Sequence, residues 1–248
     1  MKWRLYCSIL FLLLSFSCSR WQPETKHAQL TEVKLTNLVA DTLIVSLLLP
    51  YKSRVDSSMN IVLVENAITM KKEQPETALG NMMADIMFQY ALDAGLNPDL
   101  AITNYGGIRV PVLEKGPLTY RDAFQLMPFD NKIVVMAIPG DILFQWFQHM
   151  AAKGGWPVAQ ARYQISGERK LSAPIYIGGS ALDTAAVYTV VTTDYLATGG
   201  DYCDFLKTLT YSDTGFLLRD AIINYWKATG ERGEKLSIEK DGRVSYVE

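Results

Sequence analysis

The sequence predicts an α/β (α+β) domain, a mixed sheet with flanking helices, and three observations carry that expectation. Runs rich in Val, Ile and Thr (61–68, 132–138, 187–193) are interspersed with amphipathic stretches, but without the strict alternation of a doubly wound parallel sheet. Two of those stretches, Leu79 to Ala94 and Gly140 to Lys153, repeat apolar residues at three- and four-residue steps over several turns. Finally, 49% of the 248 residues are hydrophobic, enough to bury the core of one large domain.

The N-terminus reads as processing signal rather than fold. Lys2 and Arg4 precede an almost wholly apolar run, Leu5 to Phe16, too short to anchor stably across a bilayer. Small residues Ser15, Ser17 and Ser19 then surround Cys18, which marks 1–18 as a secretory signal. Cys18 stands where a bacterial lipoprotein is cut and acylated. The stretch Leu14-Ser15-Phe16-Ser17-Cys18 resembles a lipobox, with Ser where Leu is usual. Lipid attachment at Cys18 is the favoured reading, and plain cleavage is the alternative. Residues 19–40 are polar and mixed, a tether, and 41–248 form the domain. With Cys7 in the signal and Cys18 acylated, Cys203 is alone in the mature chain and no intrachain disulfide can form. No later apolar segment approaches membrane-spanning length, so the domain is expected to be soluble and extracytoplasmic, in the bacterial periplasm or cell envelope.

From Asp41, a possible N-cap, Thr42 to Met59 has helical spacing interrupted by Pro50, which predicts a broken or kinked helix. Ile61 to Ile68 predicts a strand and Lys71-Lys72-Glu73-Gln74-Pro75 a charged loop. Leu79 to Ala94 is an amphipathic helix closed by Gly95, with Met82, Met83 and Met87 as core filler. Asp99 to Thr103 is a short strand. Thr119 with Asp122 makes the acidic variant of a capping box, opening a helix that runs through Leu126. Lys132 to Ile138 is a strand, and Gly140 to Lys153 a helix closed by Gly154. Short strands follow at Ala161 to Ile165, Pro174 to Gly178 and Val187 to Thr193. A helix is expected after Gly199-Gly200-Asp201 through Leu209, a last amphipathic helix over Thr214 to Ala228, and an edge strand at Arg243 to Val247.

Several chemistries are excluded. The 24 basic and 26 acidic residues are scattered and sum to −2, so nothing argues for a nucleic-acid polymer as partner. His27 in the tether and His149 in an apolar helix cannot build a His-rich metal centre. His149 reads as structural, and Cys203 as a partly buried thiol rather than a nucleophile. There is no Gly-x-Ser-x-Gly and no phosphate loop. The chain reads as a binder.

Three loops carry the binding chemistry. Thr103-Asn104-Tyr105-Gly106-Gly107-Ile108-Arg109 sets Asn104 and Arg109 around a glycine pair whose bare backbone lets a ligand approach closely. Met127-Pro128-Phe129-Asp130-Asn131 presents an aromatic, and Thr193 to Asp201 presents Tyr195 six residues before a carboxylate. Two aromatic faces can sandwich a planar base, worth on the order of 1 to 3 kcal/mol per partner. Asp201 can accept from both hydroxyls of a ribose, and Arg109 offers a planar donor fork. Singly, each aromatic is more often core packing and each Gly-Gly an ordinary turn.

In this order and spacing the motifs resemble the C-terminal domain of the 5'-nucleotidase/UDP-sugar hydrolase family, from about Tyr51 through Leu206. The markers are Glu76-Thr77-Ala78-Leu79-Gly80-Asn81, Asn104 to Arg109, Pro128 to Asn131 and Thr193 to Asp201. The resemblance implies a substrate-binding domain in which Phe129 and Tyr195 stack the base and Asp201 binds ribose hydroxyls, with Asn104, Gly106, Gly107 and Arg109 completing the site. Three departures stand out. Tyr195 replaces a more usual Phe, and Glu73, with Pro75 nearby, stands where the family has a nucleotide-holding arginine, leaving Lys71 or Lys72 as substitutes. Tyr202 follows Asp201 where Gly is usual. The family's metallophosphatase domain has no counterpart before Tyr51. The resemblance therefore implies the nucleotide-recognition half of a split extracytoplasmic 5'-nucleotidase acting in nucleotide catabolism. It implies no cofactor in this chain, divalent metals on a separate metallophosphatase chain, and no activity alone. The alternative is a non-catalytic nucleoside-binding lipoprotein.

Overall fold

The computed structural model describes residues 41–172 and 174–247. The signal expected over 1–18 with Cys7 and Cys18, and the tether over 19–40 with His27, lie outside the described residues. The chain divides into two compact units, Met1–Leu47 and Leu48–Glu248. The functional architecture belongs to the second.

Helix α1 (Thr42–Met59) is not broken at Pro50. Hydroxyls on either side of the proline return to the helix backbone, Ser46 to the Leu43 carbonyl and Ser53 to that of Leu49, while the carbonyl that the proline deprives of its donor is that of Ser46. Strands β1 (Val62–Asn66) and β2 (Met70–Lys71) lead to α2 (Ala78–Asp93), whose end turns through Gly95 at φ +74°. Next come β3 (Leu100–Ile102), β4 (Val112–Leu113), β5 (Gly116–Thr119) and α3 (Tyr120–Leu126). The Asp122 carboxylate accepts from both the N–H and the hydroxyl of Thr119, at 2.7 and 2.6 Å, the cap expected there. Strand β6 (Lys132–Pro139) feeds α4 (Gly140–Ala152), followed by β7 (Val158–Ala159), β8 (Ala161–Ile165), β9 (Tyr176–Ile177) and β10 (Ser180–Ala181). The chain ends with β11 (Val187–Thr193), the one-turn α5 (Asp194–Ala197), β12 (Tyr211–Leu217), α6 (Leu218–Glu231), β13 (Lys235–Leu236) and β14 (Val244–Tyr246).

The central sheet has the order β12-β6-β11-β3-β7, parallel at β11–β3 and antiparallel elsewhere. The fold is thus the mixed sheet expected. Its two faces bury different sets of side chains. Ala101 and Val191 join Leu79, Met82, Met83 and Met87 of α2 and Trp226 of α6 on one side. Leu100, Ile102 and Val190 join Leu143, Trp146, Phe147 and Met150 of α4 on the other. Covering both faces explains why these strands read as continuous apolar runs rather than alternating ones. The α2 methionines are fully buried filler, as expected.

Two expected helices are corrected. Thr214 to Leu217 belongs to a strand, because β12 pairs along the exposed edge of β6 and bends through a register shift at Gly215, φ +75°. The apolar pair Phe216-Leu217, read as a helix face, is the end of that strand. Between Gly199 and Leu209 there are two short 3-10 turns, Gly200–Tyr202 and Asp204–Leu206, in place of one helix. Asp201 at φ +51° and Tyr202 at φ +66° are left-handed, and two such residues in succession cannot sit in a right-handed helix.

Candidate functional site

Asn104 to Arg109 leaves the end of β3, Pro128 to Asn131 links α3 to β6, and Thr193 to Asp201 leaves the end of β11. All three loops therefore gather at one end of the central sheet. They enclose a cavity of about 230 Å³. Asn104, Gly106, Gly107 and Arg109 form one wall, Phe129 a second, and Tyr195 with Asp201 a third, so every residue singled out for binding lines the same space. Asn131 lines it too. It sits within a marker motif but had no chemistry to distinguish it in the sequence.

The glycine pair also makes room within the site. Neither glycine needs a left-handed backbone; they lie in a 3-10 turn, Tyr105–Gly107. A Cβ on Gly107 would stand 2.9 Å from Asn104 Oδ1, and one on Gly106 would stand 3.3 Å from Asn104 Nδ2. The missing side chains leave room for Asn104 to fold back under the turn and reach Asp201. Its amide Nδ2 donates to Asp201 Oδ2 at 2.6 Å. Gly200 does the same for Tyr195, since a Cβ there would meet the ring at 2.5 Å.

The two aromatics are held at their separation by polar contacts. Phe129 and Tyr195 are 40% and 42% exposed, so both rings still offer surface to a ligand. The Asp194 carboxylate accepts from the Lys132 N–H at 3.0 Å and from the Tyr195 N–H at 2.8 Å, tying the two loops together. Arg219, buried at the start of α6, donates to the Phe129 carbonyl at 3.3 Å and to Asp130 at 2.7 Å. Nothing in the sequence signalled Arg219, an arginine on the buried stripe of an amphipathic helix. Arg109 lies over the Phe129 ring, 5.3 Å from its centre. Burial and then the Asp201 carboxylate push the Tyr195 phenol above its ordinary range, so it is a neutral donor at pH 7.

The departures in charge look different in three dimensions. Glu73 pairs with Lys240 at 2.9 Å. Lys72 instead bonds to the backbone of the 104–109 loop, behind the cavity wall. Its ammonium donates to the Ile108 carbonyl at 2.7 Å and lies 4.4 Å from the centre of the Tyr105 ring. Burial first, and Arg109 second, pull its pKa below the usual lysine value. Among the described residues neither Lys72 nor Arg109 has a carboxylate partner; Arg109 lines the cavity, and Lys72 lies behind its wall, near enough to feel the Arg109 charge. Tyr202 does not line this cavity. It borders a neighbouring one of about 200 Å³ with Tyr105 and Lys153, whose ammonium sits 4.5 Å from the centre of its ring.

Cys203 is fully buried rather than partly so, and burial followed by Asp201 and Asp204 pushes its thiol up to about 12. A nucleophile needs thiolate, which this environment denies at neutral pH. His149 packs edge-on against Trp156 and Phe205, and its Nε2 donates to the Asp201 carbonyl at 2.9 Å. Among the described residues, no three His, Cys, Asp or Glu side chains gather closely enough to hold a metal ion. The described residues therefore supply no ligand set for a dimetal centre. No helix among them is long and apolar enough to cross a membrane.

Comparison with known proteins fits this geometry. The chain is 31% identical over 187 residues to the trifunctional nucleotide phosphoesterase protein YfkN of Bacillus subtilis, covering 69% of this chain and 12% of that one. It is 24% identical over 200 residues to a 5'-nucleotidase of Vibrio parahaemolyticus, covering 76% of this chain and 34% of that one. Among solved structures, a 5'-nucleotidase precursor from Thermus thermophilus superposes with a TM-score of 0.72 at 26% identity, over 84% of this chain and 43% of its own. The chain thus spans less than half the length of each of these relatives. The model of the family described as 5'-nucleotidase, C-terminal domain, matches residues 55–208, more than half of the chain. The chain belongs to the 5'-nucleotidase C-terminal domain family.

Proposed function

We propose that this chain is the nucleotide-recognition half of an extracytoplasmic 5'-nucleotidase, held at the cell envelope by a lipid on Cys18, with the hydrolytic dimetal centre on a separate partner chain. The observation that carries the reading is one cavity in which two half-exposed aromatics, a carboxylate and an unpaired arginine converge. The base enters between Phe129 and Tyr195, the ribose hydroxyls donate to Asp201, and the phosphoryl group faces Arg109, with Lys72 behind the wall. Asn104 holds the carboxylate, and the chain contributes binding energy and orientation. The metals that the family implies would supply water activation from the partner, and no step is assigned to them on these residues.

The direct test is co-purification of the envelope protein with a metallophosphatase chain, followed by nucleotide hydrolysis. A mixture at least tenfold faster than the phosphatase alone is expected; equal rates, or no association, sink the split arrangement. A purely nucleoside-binding lipoprotein is the second reading, since a ligand without phosphate would not need the arginine that Glu73 replaces. That carboxylate is engaged with Lys240, whereas Lys72 stands beside Arg109. Calorimetry should therefore show a nucleoside monophosphate binding about tenfold tighter than its nucleoside, with the advantage shrinking several-fold in Lys72→Ala. A nucleoside that binds as tightly as its monophosphate would favour the receptor.

A further inference from the structure

Asp201 is held more firmly than a half-exposed surface carboxylate requires. Its backbone is left-handed, φ +51°, a conformation that L-residues adopt at a cost and that persists only when the surroundings impose it. Four hydrogen bonds do so here. The Asp201 N–H donates to the Tyr195 hydroxyl at 3.2 Å, and the same hydroxyl donates to Asp201 Oδ1 at 3.0 Å. Asn104 Nδ2 donates to Oδ2 at 2.6 Å, and His149 Nε2 to the backbone carbonyl at 2.9 Å. One phenol thus grips both the main chain and the side chain of the residue, while its ring packs on Gly200.

We infer that Tyr195 is a specificity-determining residue: its hydroxyl sets the Asp201 carboxylate for two vicinal hydroxyls, so the site takes ribonucleosides and ribonucleotides in preference to their 2'-deoxy counterparts. This deepens the nucleotide-recognition reading and rests on it. A carboxylate has about four acceptor positions. Tyr195 and Asn104 occupy one on each oxygen, which leaves one acceptor per oxygen on a carboxylate tethered at both. A ribose supplies two adjacent donors to match; a 2'-deoxyribose supplies one and leaves an acceptor unmatched. A site built around a hydroxyl discriminates against the analogue lacking it through that unpaired group. With phenylalanine at 195 the stacking face survives, but Oδ1 and the Asp201 N–H lose their common partner. The carboxylate then turns about its side-chain torsions and the two-point match weakens. Tyr195 acts through Asp201 and is in this respect a positioning residue.

The test is calorimetric titration of the full chain, as wild type, Tyr195→Phe and Phe129→Leu, with the common ribonucleosides and their 2'-deoxy forms. Wild type is expected to prefer the ribo form. In Tyr195→Phe the ribo-over-deoxy ratio should fall about fivefold, the ribonucleoside losing most. In Phe129→Leu both forms should weaken alike and the ratio should stay. Thermal melting of each variant checks that the fold is retained, which the conserved ring volume of Tyr195→Phe makes the expected result. An unchanged ratio in Tyr195→Phe overturns the inference, whether both sugars keep their affinity or lose it equally. Failure of wild type to bind any nucleoside is a different outcome; it removes the nucleotide reading itself, and this inference with it.

Discussion

Asp201→Ala should lower the affinity of this chain for a ribonucleoside by roughly a hundredfold, because the substitution removes the one carboxylate that the described residues place in the cavity wall. Hydrogen bonds to a charged acceptor contribute about 1.5–3 kcal/mol each, and two sugar hydroxyls would lose theirs together. The variant also strands Asn104 Nδ2 and the Tyr195 hydroxyl, whose acceptor it was, at 2.6 and 3.0 Å. A second effect runs through the backbone. Alanine tolerates the left-handed region less well than aspartate, so a loss of about 1 kcal/mol of stability accompanies the loss of binding. Asp201→Asn separates the two. Asparagine is at ease at φ +51° and should melt as wild type, yet one acceptor oxygen in place of two leaves an affinity about tenfold weaker. Calorimetry and thermal melting on the three proteins decide the matter. A ribonucleoside that binds Asp201→Ala within threefold of wild type would remove Asp201 from the sugar site.

The residues that line the cavity were legible because recognition needs particular functional groups, and those groups announce themselves in loops between apolar runs. Phe129, Tyr195 and Asp201 could be named from type and spacing, and all line one cavity. The residues that hold them were not legible. Arg219 and Asp194 act through backbone carbonyls and N–H groups of other loops, and such partners are set by the tertiary path of the chain rather than by local pattern. Gly106 and Gly107 stood out for their bare backbone; the space they leave beside Asn104 depends on the fold and was not legible. The fold shows the same division. Helices with a strong apolar repeat, α2 and α4, fall where the pattern puts them. The two-residue strands β2, β4, β7 and β13 exist only because a distant strand pairs with them, and β12 looked helical until the β6 edge claimed its backbone. Glu73 shows how charge can mislead in one dimension: Lys240, far away in sequence, is its partner.

The other large effect concerns the helix that carries Arg219. Trp226 is fully buried against α2, with its indole N–H directed at Met82 Sδ at 3.5 Å. It lies seven residues after Arg219, two turns along the same buried stripe that holds Ile222 and Ile223. The helix cannot slide inward to fill a gap, since Gly230 already touches the Leu63 carbonyl so closely that a Cβ would stand 2.1 Å from it. Trp226→Ala should therefore leave a cavity that does not collapse and cost about 3–5 kcal/mol, lowering the melting temperature by about 10 °C or more. Trp226→Phe keeps most of the volume and should cost less than half of that. A saturating ribonucleoside monophosphate separates stability from function. It binds only the folded chain, so it should raise the melting temperature of Trp226→Ala as it does that of wild type, provided Arg219 still grips the Phe129 carbonyl. A variant that melts low and gains nothing from the ligand would mean that α6 had lost its hold on the 128–131 loop, and that the apolar stripe and the arginine at its head act as one unit.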